Sequence, residues 1–232
     1  MNDLRPWCGR VFGAMLALIA ACWAAGALAD MPKGDPARGR ELARACDGCH
    51  GAGGVAPDDQ LANLAGQQGG YLEKQLLDMR SLANKRAGTI LLSDLDQKQR
   101  AAQFNFTRIR RNNEIMDPLV IDLRDQDIAD LAAHYQRLPC GAATESAPPA
   151  PAAAVRCASC HGPAGVSASA MIPNIAGQPA VYLAKRLGQL REYGLKLDKK
   201  ARRRDIMASQ ARLLSEADIK VVAEYYARLA CR

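Results

Sequence analysis

The fold is decided by residues 46–51, Cys46-Asp47-Gly48-Cys49-His50-Gly51, and the chain repeats their pattern as Cys157-Ala158-Ser159-Cys160-His161-Gly162. In each copy, two cysteines three positions apart are followed directly by a histidine. On a helix, positions i, i+3 and i+4 share one face, so the two thiols and the imidazole converge. Each copy therefore predicts one site made of two sulfur atoms and one ring nitrogen.

This pattern is typical of covalent haem attachment, in which the thiols bond to two vinyl groups and the histidine binds the iron. We predict two covalently bound c-type haems. The predicted thioether residues are Cys46, Cys49, Cys157 and Cys160, and the predicted histidine ligands are His50 and His161. Aromatic residues make up only 5% of the chain, so a flat apolar cofactor would also supply core volume that side chains lack.

Three other chemistries use paired cysteines. A structural zinc site needs its two pairs close together, whereas these pairs lie in separate repeats. A thioredoxin-like redox pair expects a βαβ context, and the sequence shows no strand-like alternation. Simple disulfides are compatible with an exported chain, but they leave the histidine after each pair unexplained.

The repeat extends well beyond the cysteine motif. At an offset of 111 residues, Leu64-Ala65-Gly66-Gln67 matches Ile175-Ala176-Gly177-Gln178, and near the end of each copy the offset falls to 91. The chain is therefore a tandem duplication whose first copy carries 20 additional residues between Tyr71 and Met116. We expect a short helix in this insertion, over residues 93–106.

Four segments follow from this organisation. We predict a signal peptide at residues 1–29, a first domain at 30–140, a linker at 141–153 and a second domain at 154–232. The linker is rich in alanine and proline and has no apolar period, as expected of a semi-rigid spacer.

Both copies are predicted to be all-α. Apolar residues recur at helical spacing in the last segment of each copy, at Leu123, Ile128, Leu131, Tyr135 and Leu138 and at Leu214, Ile219, Val222, Tyr226 and Leu229. Middle helices are expected to start at Tyr71 and Tyr182. Asp35 and Pro36 predict the start of an opening helix that runs to Ala45. The second copy has room only for a stub at residues 151–156.

The beginning of the chain predicts export. Arg5 and Arg10 precede an apolar run over residues 11–25, which ends before an Ala-Leu-Ala cleavage pattern at residues 27–29. A membrane span and a lipoprotein signal that leaves a lipid anchor on Cys22 are the alternatives. In a bacterium the destination is the periplasm. The net charge is +7; for an exported chain it either serves solubility alone or suggests acidic proteins or anionic lipid surfaces as partners, not nucleic acid.

Met116 and Met207 are the candidates for the second axial position of each iron. They occupy equivalent places after the middle helix of each copy, and neither lies on an apolar helix stripe as Met79 does. Met171 is a rival in the second copy, but it has no methionine partner in the first. We predict His50 and Met116 as the ligands of one iron and His161 and Met207 as the ligands of the other.

Each histidine ligand also needs an acceptor for its other ring N–H. We expect a backbone carbonyl near Pro173 to serve in the second copy and one near Ala62, at the equivalent position, to serve in the first. The remaining histidine, His134, is expected to be an ordinary helix residue. Cys140 and Cys231 lie outside the motifs, and either a disulfide between them or two separate buried thiols would suit their positions.

The duplicated motif, the segment Pro173-Asn174-Ile175-Ala176-Gly177-Gln178, the Tyr-Leu helices and the late methionines resemble the periplasmic dihaem cytochromes of the cytochrome c4 family. The resemblance covers most of residues 35–232. It implies two tandem cytochrome c-like haem domains packed head to head. It also implies His/Met ligation and electron delivery to a terminal oxidase or another redox partner. Ala62 in place of the expected proline, the insertion and the short opening helix of the second copy depart from the family pattern.

Three functions are compatible with two such haems. If both irons carry methionine, no coordination site is open, which favours an electron carrier with no small-molecule substrate. A dihaem peroxidase-like enzyme would need one open haem site, and a cytochrome subunit of a dehydrogenase complex would need a dedicated partner. A cluster of basic residues precedes each candidate methionine. Each cluster is compatible with a solvated loop or with docking to an acidic or membrane-bound partner. The clusters are Arg108, Arg110 and Arg111 before Met116, and Lys199, Lys200, Arg202, Arg203 and Arg204 before Met207.

Overall fold

The computed structural model describes residues 33–86, 115–140, 149–199 and 205–231, all of which belong to the compact unit formed by residues 33–232. The predicted signal peptide, the predicted insertion helix and most of the predicted linker lie outside these residues. Every regular element in the described ranges is a helix, which confirms the all-α prediction. None of these helices combines the length and apolar character that a membrane span needs.

The described helices form two sets of five. The first repeat, residues 33–86 and 115–140, contains α1 (Pro36–Ala43), α2 (Asp47–His50), α3 (Gly69–Arg86), α4 (Asp117–Val120) and α5 (Asp125–Arg137). The second repeat, residues 149–199 and 205–231, contains α6 (Ala152–Val155), α7 (Ala158–His161), α8 (Ala180–Lys196), α9 (Ile206–Ala211) and α10 (Glu216–Arg228). The four-residue α6 confirms the predicted stub.

The helix starts follow from local capping chemistry. The Asp35 side chain accepts a hydrogen bond from the Ala37 N–H at 2.9 Å, and Pro36 occupies the first turn of α1. A capping box between Ser215 and Asp218 starts α10. The middle helices begin at Gly69 and Ala180, two residues before the predicted tyrosines. At the start of α3 the Gly69 N–H donates to Gln136 Oε1 of α5 at 2.8 Å, a tertiary contact that the local sequence does not reveal.

The last helix of each repeat forms the centre of its core. Helix α5 packs against α1 and α3, and α10 packs against α8. Their buried faces carry equivalent residues, Ile128, Leu131 and Tyr135 in α5 and Ile219, Val222 and Tyr226 in α10. These faces are the ones that the apolar periodicity predicts.

The two repeats are joined by bonds between equivalent positions. Cys140 and Cys231 form a disulfide with Cα atoms 6.0 Å apart, which decides between the two interpretations left open by the sequence. The Tyr71 N–H donates to the Ala170 carbonyl at 2.9 Å, and the Tyr182 N–H donates to the Asp59 carbonyl at 3.0 Å. Because Asp59 and Ala170 are themselves equivalent in the repeat, the contact is approximately two-fold symmetric.

Candidate haem sites

Each cysteine motif is wound into a single helical turn. The His50 N–H donates to the Cys46 carbonyl and the His161 N–H donates to the Cys157 carbonyl, each at 2.9 Å. In each repeat the first cysteine is the N-cap residue of α2 or α7, and the histidine is the last residue of that helix. The predicted sharing of one helical face by the motif residues is therefore present in both repeats.

The glycine that follows each histidine ends the turn. Gly51 and Gly162 have φ values of 77° and 80°, in the region that side chains other than glycine rarely adopt. A Cβ at either glycine would lie 2.1 Å from a backbone oxygen, that of Val55 or Val166. Glycine is therefore required here for two reasons, its conformation and the close approach of the following loop.

The motif cysteines are unpaired and partly accessible. Cys46 and Cys157 are half-buried, whereas Cys49 and Cys160 are exposed, and all four are free thiols. Cys46 packs against an apolar cluster with Leu42, Leu64 and Leu72. Burial raises the pKa of the Cys46 thiol, and it also raises the pKa of the Cys157 thiol. Each motif therefore presents one sulfur in an apolar wall and one at the surface.

The histidine rings are held by backbone carbonyls at the predicted places. The His50 Nδ1–H donates to the Ala62 carbonyl at 2.9 Å, and the His161 Nδ1–H donates to the Pro173 carbonyl at 2.8 Å. Because Nδ1 carries the proton in this hydrogen bond, Nε2 is the nitrogen left to bind a metal. The carbonyl at Ala62 serves as well as the one at Pro173, so the missing proline does not remove the interaction.

The two rings differ in burial. His161 is only 4% exposed, and burial lowers its pKa. His50 is half-buried. A neutral imidazole is the form that binds a metal ion, so burial favours the ligand form of His161.

The residues around the first motif fit a haem. The Tyr135 hydroxyl is buried beside the Cys46 thiol, whose pKa it lowers against the larger, opposite effect of burial, and it reaches no full hydrogen-bond partner among the described residues. A buried hydroxyl whose polar neighbour is a free thiol is consistent with a site built around a further group. The donor set, two sulfur atoms and one nitrogen on an apolar wall, matches the chemistry of covalent haem attachment.

The candidate methionines lie in different surroundings. Met116 precedes α4 and packs against a cluster with Met79, Ala83 and Val120. It is thus in contact with apolar residues, although the sequence places it off any helix stripe. Leu76 and Leu123 contact both this cluster and the one that holds Cys46, so Met116 and Cys46 line one continuous apolar region.

Met207 lies in α9, which packs against α8, and its side chain is half-buried. The rival Met171 lies at the contact between the repeats, because its Sδ is 2.8 Å from the place that a Cβ on Gly70 would occupy.

His134 is a half-buried residue of α5, as expected. Lys199 is exposed, and the other members of the two basic clusters lie outside the described residues.

A polar network between the repeats has no counterpart in the sequence predictions. Gln178 accepts from the Asn63 N–H at 3.0 Å and donates through Nε2 to the Asn63 carbonyl at 2.7 Å. Gln67 does the same to Asn174, accepting from its N–H at 2.7 Å and donating to its carbonyl at 2.9 Å. The sequence does contain a sign of this network, because glutamine recurs at the equivalent positions 67 and 178. Polar residues outside helices have no packing reason to repeat, so their recurrence indicates a shared role.

The asparagine side chains complete this network. Asn63 Nδ2 donates to the Gly177 carbonyl, and Asn174 Nδ2 donates to the Gly66 carbonyl, each at 2.9 Å. The bonds between these glutamines, asparagines and glycines therefore occur in equivalent pairs, as in an isologous interface. The two histidine sites are consequently connected by hydrogen bonds that cross between the repeats.

Comparison with known proteins agrees with this geometry. The family model for cytochrome c matches residues 151–229. Cytochrome c4 of Pseudomonas aeruginosa is 32% identical over 205 residues, which cover 83% of this chain and 87% of the relative. The thiosulfate dehydrogenase electron acceptor of Stutzerimonas stutzeri is 31% identical over 81% of this chain and 80% of its own length. The crystal structure of reduced recombinant cytochrome c4 from Pseudomonas stutzeri superposes with a TM-score of 0.60 at 26% identity, covering 84% of this chain and 99% of that one.

Proposed function

The chain belongs to the cytochrome c4 family of dihaem electron-transfer cytochromes, and on that premise we propose how its own residues hold the two haems and what they exchange electrons with. Two c-type haems are covalently bound, and the predicted domain limits of 30–140 and 154–232 assign one to each repeat. The proposed thioether residues are Cys46, Cys49, Cys157 and Cys160. The proposed axial ligands are His50 with Met116 and His161 with Met207.

One observation carries the histidine part of the ligand assignment. The Nδ1 atoms of His50 and His161 are fixed by carbonyl oxygens at 2.9 and 2.8 Å, which leaves each Nε2 as the metal-binding atom beside two free thiols. When bound, the haem supplies reversible one-electron exchange at its iron. The chain orients the imidazole, anchors the porphyrin edge through sulfur and surrounds it with apolar residues.

Methionine at the sixth position closes both irons to exogenous ligands and leaves outer-sphere electron transfer as the function. The test is the absorption spectrum of the reduced holoprotein under carbon monoxide. We expect the spectrum to be unchanged at both haems. Stoichiometric carbon monoxide binding at one haem would contradict closed ligation and favour the peroxidase-like alternative.

The partner is proposed to be a redox protein, with an acidic or membrane-bound oxidase as the first candidate. A dehydrogenase is the second candidate, because a relative of similar length is a thiosulfate dehydrogenase electron acceptor. Arg108, Arg110 and Arg111 in one copy and Lys199 in the other belong to the basic clusters that would face an acidic partner. The rate of electron transfer to such a partner should fall steeply as salt is added, and a rate independent of ionic strength would contradict electrostatic docking.

The proposed location is the periplasm, reached by cleavage of residues 1–29. A lipid anchor on Cys22 is the alternative. The intact mass of the exported holoprotein distinguishes them, because cleavage after Ala29 leaves Asp30 as the first residue and an anchored chain would retain Cys22 with its lipid.

A further inference from the structure

In each repeat, one peptide group lies between the histidine and a glutamine of the other repeat and is hydrogen-bonded to both. The carbonyl of Ala62 accepts from His50 Nδ1 at 2.9 Å, and the N–H of the same peptide, on Asn63, donates to Gln178 Oε1 at 3.0 Å. The histidine belongs to the first repeat and the glutamine to the second. An uninterrupted chain of hydrogen bonds therefore runs from the His50 ring across the contact between the repeats.

The second repeat has the equivalent arrangement, related to the first by the approximate two-fold symmetry of the contact. The Pro173 carbonyl accepts from His161 Nδ1 at 2.8 Å, and the Asn174 N–H of the same peptide donates to Gln67 Oε1 at 2.7 Å. The histidine now belongs to the second repeat and the glutamine to the first. Two crossed chains thus exist, each with a histidine at one end and a glutamine at the other.

Hydrogen bonds in such a chain strengthen one another. When a peptide N–H donates to an acceptor, the carbonyl of the same peptide becomes more negative and accepts more strongly. A stronger bond at Nδ1 makes the imidazole more electron-rich, and an outer-shell bond of this kind tunes the metal that the ring ligates. Greater electron donation stabilises the oxidised form of the iron, so each glutamine is expected to lower the reduction potential.

The glutamines are also fixed in place. Gln67 also donates to the Asn174 carbonyl at 2.9 Å, and Gln178 donates to the Asn63 carbonyl at 2.7 Å. Each glutamine amide therefore bonds both the backbone N–H and the backbone carbonyl of one asparagine. Gln67 and Gln178 are 5% and 6% exposed. Water therefore has little access to replace either bond.

We propose that Gln67 and Gln178 are positioning residues that lower the reduction potential of the haem carried by the opposite repeat. The inference rests on the proposed histidine ligation. Gln178 acts on the iron of His50, and Gln67 acts on the iron of His161. The effect of Gln67 is the larger, because Asn174 and His161 are buried and the hydrogen bond from the Asn174 N–H to Gln67 Oε1, at 2.7 Å, is shorter than the bond from the Asn63 N–H to Gln178 Oε1, at 3.0 Å.

The test is an NMR-monitored redox titration of the holoprotein that follows the haem methyl signals of each repeat separately. Gln178→Met, which keeps the side-chain length and removes both polar atoms, should raise the midpoint potential of the first-repeat haem and leave the other unchanged. Gln67→Met should raise that of the second-repeat haem only, and by more. The Cys140–Cys231 disulfide keeps the repeats linked in both variants.

Gln68→Ala is the matched control. Gln68 Nε2 donates across the contact to the Ser167 carbonyl at 2.7 Å and to Asn174 Oδ1 at 3.2 Å, but it does not bond the peptide behind either histidine. Both potentials should stay at their wild-type values in this variant. A shift at the haem of the mutated repeat, an equal shift at both haems, or no shift in either glutamine variant would overturn the proposal.

A measurement on the unaltered protein covers the case in which a variant does not fold. In the fully reduced, diamagnetic holoprotein, the Asn63 and Asn174 amide protons should resonate downfield and exchange slowly with solvent. Rapid exchange of both amides would overturn the proposal. Failure of the ligand assignment itself would look different, because the chain would then lack haem or would carry it without histidine ligation.

Discussion

Cys140 and Cys231, which are 91 positions apart, form a disulfide that joins equivalent positions of the two repeats. Each sulfur packs against the equivalent glycine, since a Cβ on Gly66 would lie 2.9 Å from the Cys140 sulfur and one on Gly177 would lie 3.0 Å from the Cys231 sulfur. The bond therefore lies directly beside the glycine that precedes the network glutamine in each repeat. It reinforces the same contact through which the two histidine sites are connected.

Removal of this disulfide should weaken the assembled protein. The bond closes a loop of 91 residues, for which chain entropy alone gives a stabilisation of about 4.6 kcal/mol. We expect the double variant Cys140→Ser with Cys231→Ser to lose about 2 to 4 kcal/mol of unfolding free energy. Guanidinium denaturation of the holoprotein, followed by far-ultraviolet circular dichroism, measures the loss. An unchanged denaturation midpoint would show that the contact does not depend on the bond.

The glycine after each histidine should be irreplaceable, whereas a glycine inside the motif should not be. Gly51→Ala places a side chain at a positive φ and within 2.1 Å of the Val55 carbonyl oxygen, so we expect a loss of more than about 2 kcal/mol. Gly48 is exposed, helical and has open space around it. Gly48→Ala should therefore be neutral or stabilising by about 0.5 kcal/mol. Equal thermal stability of the two variants would contradict the geometry.

Acid should selectively remove the contribution of Asp127. Its hydrogen bond with the Arg124 side chain is the main cause that lowers the pKa of Asp127 from 3.8 to about 2, and Arg38 pairs with the same carboxylate. Because the folded-state pKa is the lower one, the stabilisation is complete above pH 3.8 and disappears as the pH falls towards 2. Asp127→Asn should cost about 1 kcal/mol at neutral pH, and this difference should vanish in acid.

The second repeat offers a control for this prediction. Asp218 occupies the position equivalent to Asp127, but its main partner is the Ser215 hydroxyl at 2.7 Å, and the one arginine that acts on it, Arg156, does so through charge alone and is the weakest cause of its lowered pKa. Asp218→Asn should therefore cost less than Asp127→Asn in urea denaturation at neutral pH. A larger loss at Asp218 would contradict the role assigned to the arginines.

Substitution of the proposed methionine ligands should open one haem at a time. Met116→Ala and Met207→Ala should each let the reduced protein bind one carbon monoxide per chain, because the sixth position of one iron becomes free. Met171→Ala should bind none, since its sulfur lies against Gly70 at the contact between the repeats. Carbon monoxide binding by the Met171 variant together with none by the Met207 variant would reverse the assignment.

The helices and the histidine acceptors could be predicted because their causes are local. The cap at Asp35, the capping box at Ser215 and the carbonyl twelve residues after each histidine depend on residues close in sequence. Apolar periodicity then identifies the buried faces of α5 and α10. The starts of α3 and α8 lie two residues before the predicted tyrosines: the side chain that accepts from the first N–H of α3 is the distant Gln136, and Pro179 gives α8 no side-chain cap.

The contact between the repeats could not be predicted in the same way. Whether Cys140 pairs with Cys231 depends on a Cα separation of 6.0 Å that arises only from tertiary packing. The repeated glutamines were visible, but nothing in a linear sequence shows that Gln178 faces Asn63 and Gln67 faces Asn174. Likewise, the packing of Met116 against Met79 requires the fold to bring α3 and α4 together.

Each repeat is proposed to hold one haem through its own pair of cysteines. The most direct measurement is the pyridine haemochrome spectrum of the mature protein, quantified per chain before and after extraction with acidic acetone. Two c-type haems per chain that resist extraction are the expected result. A colourless protein from a host competent in cytochrome maturation, or pigment that passes into the solvent, would contradict the account.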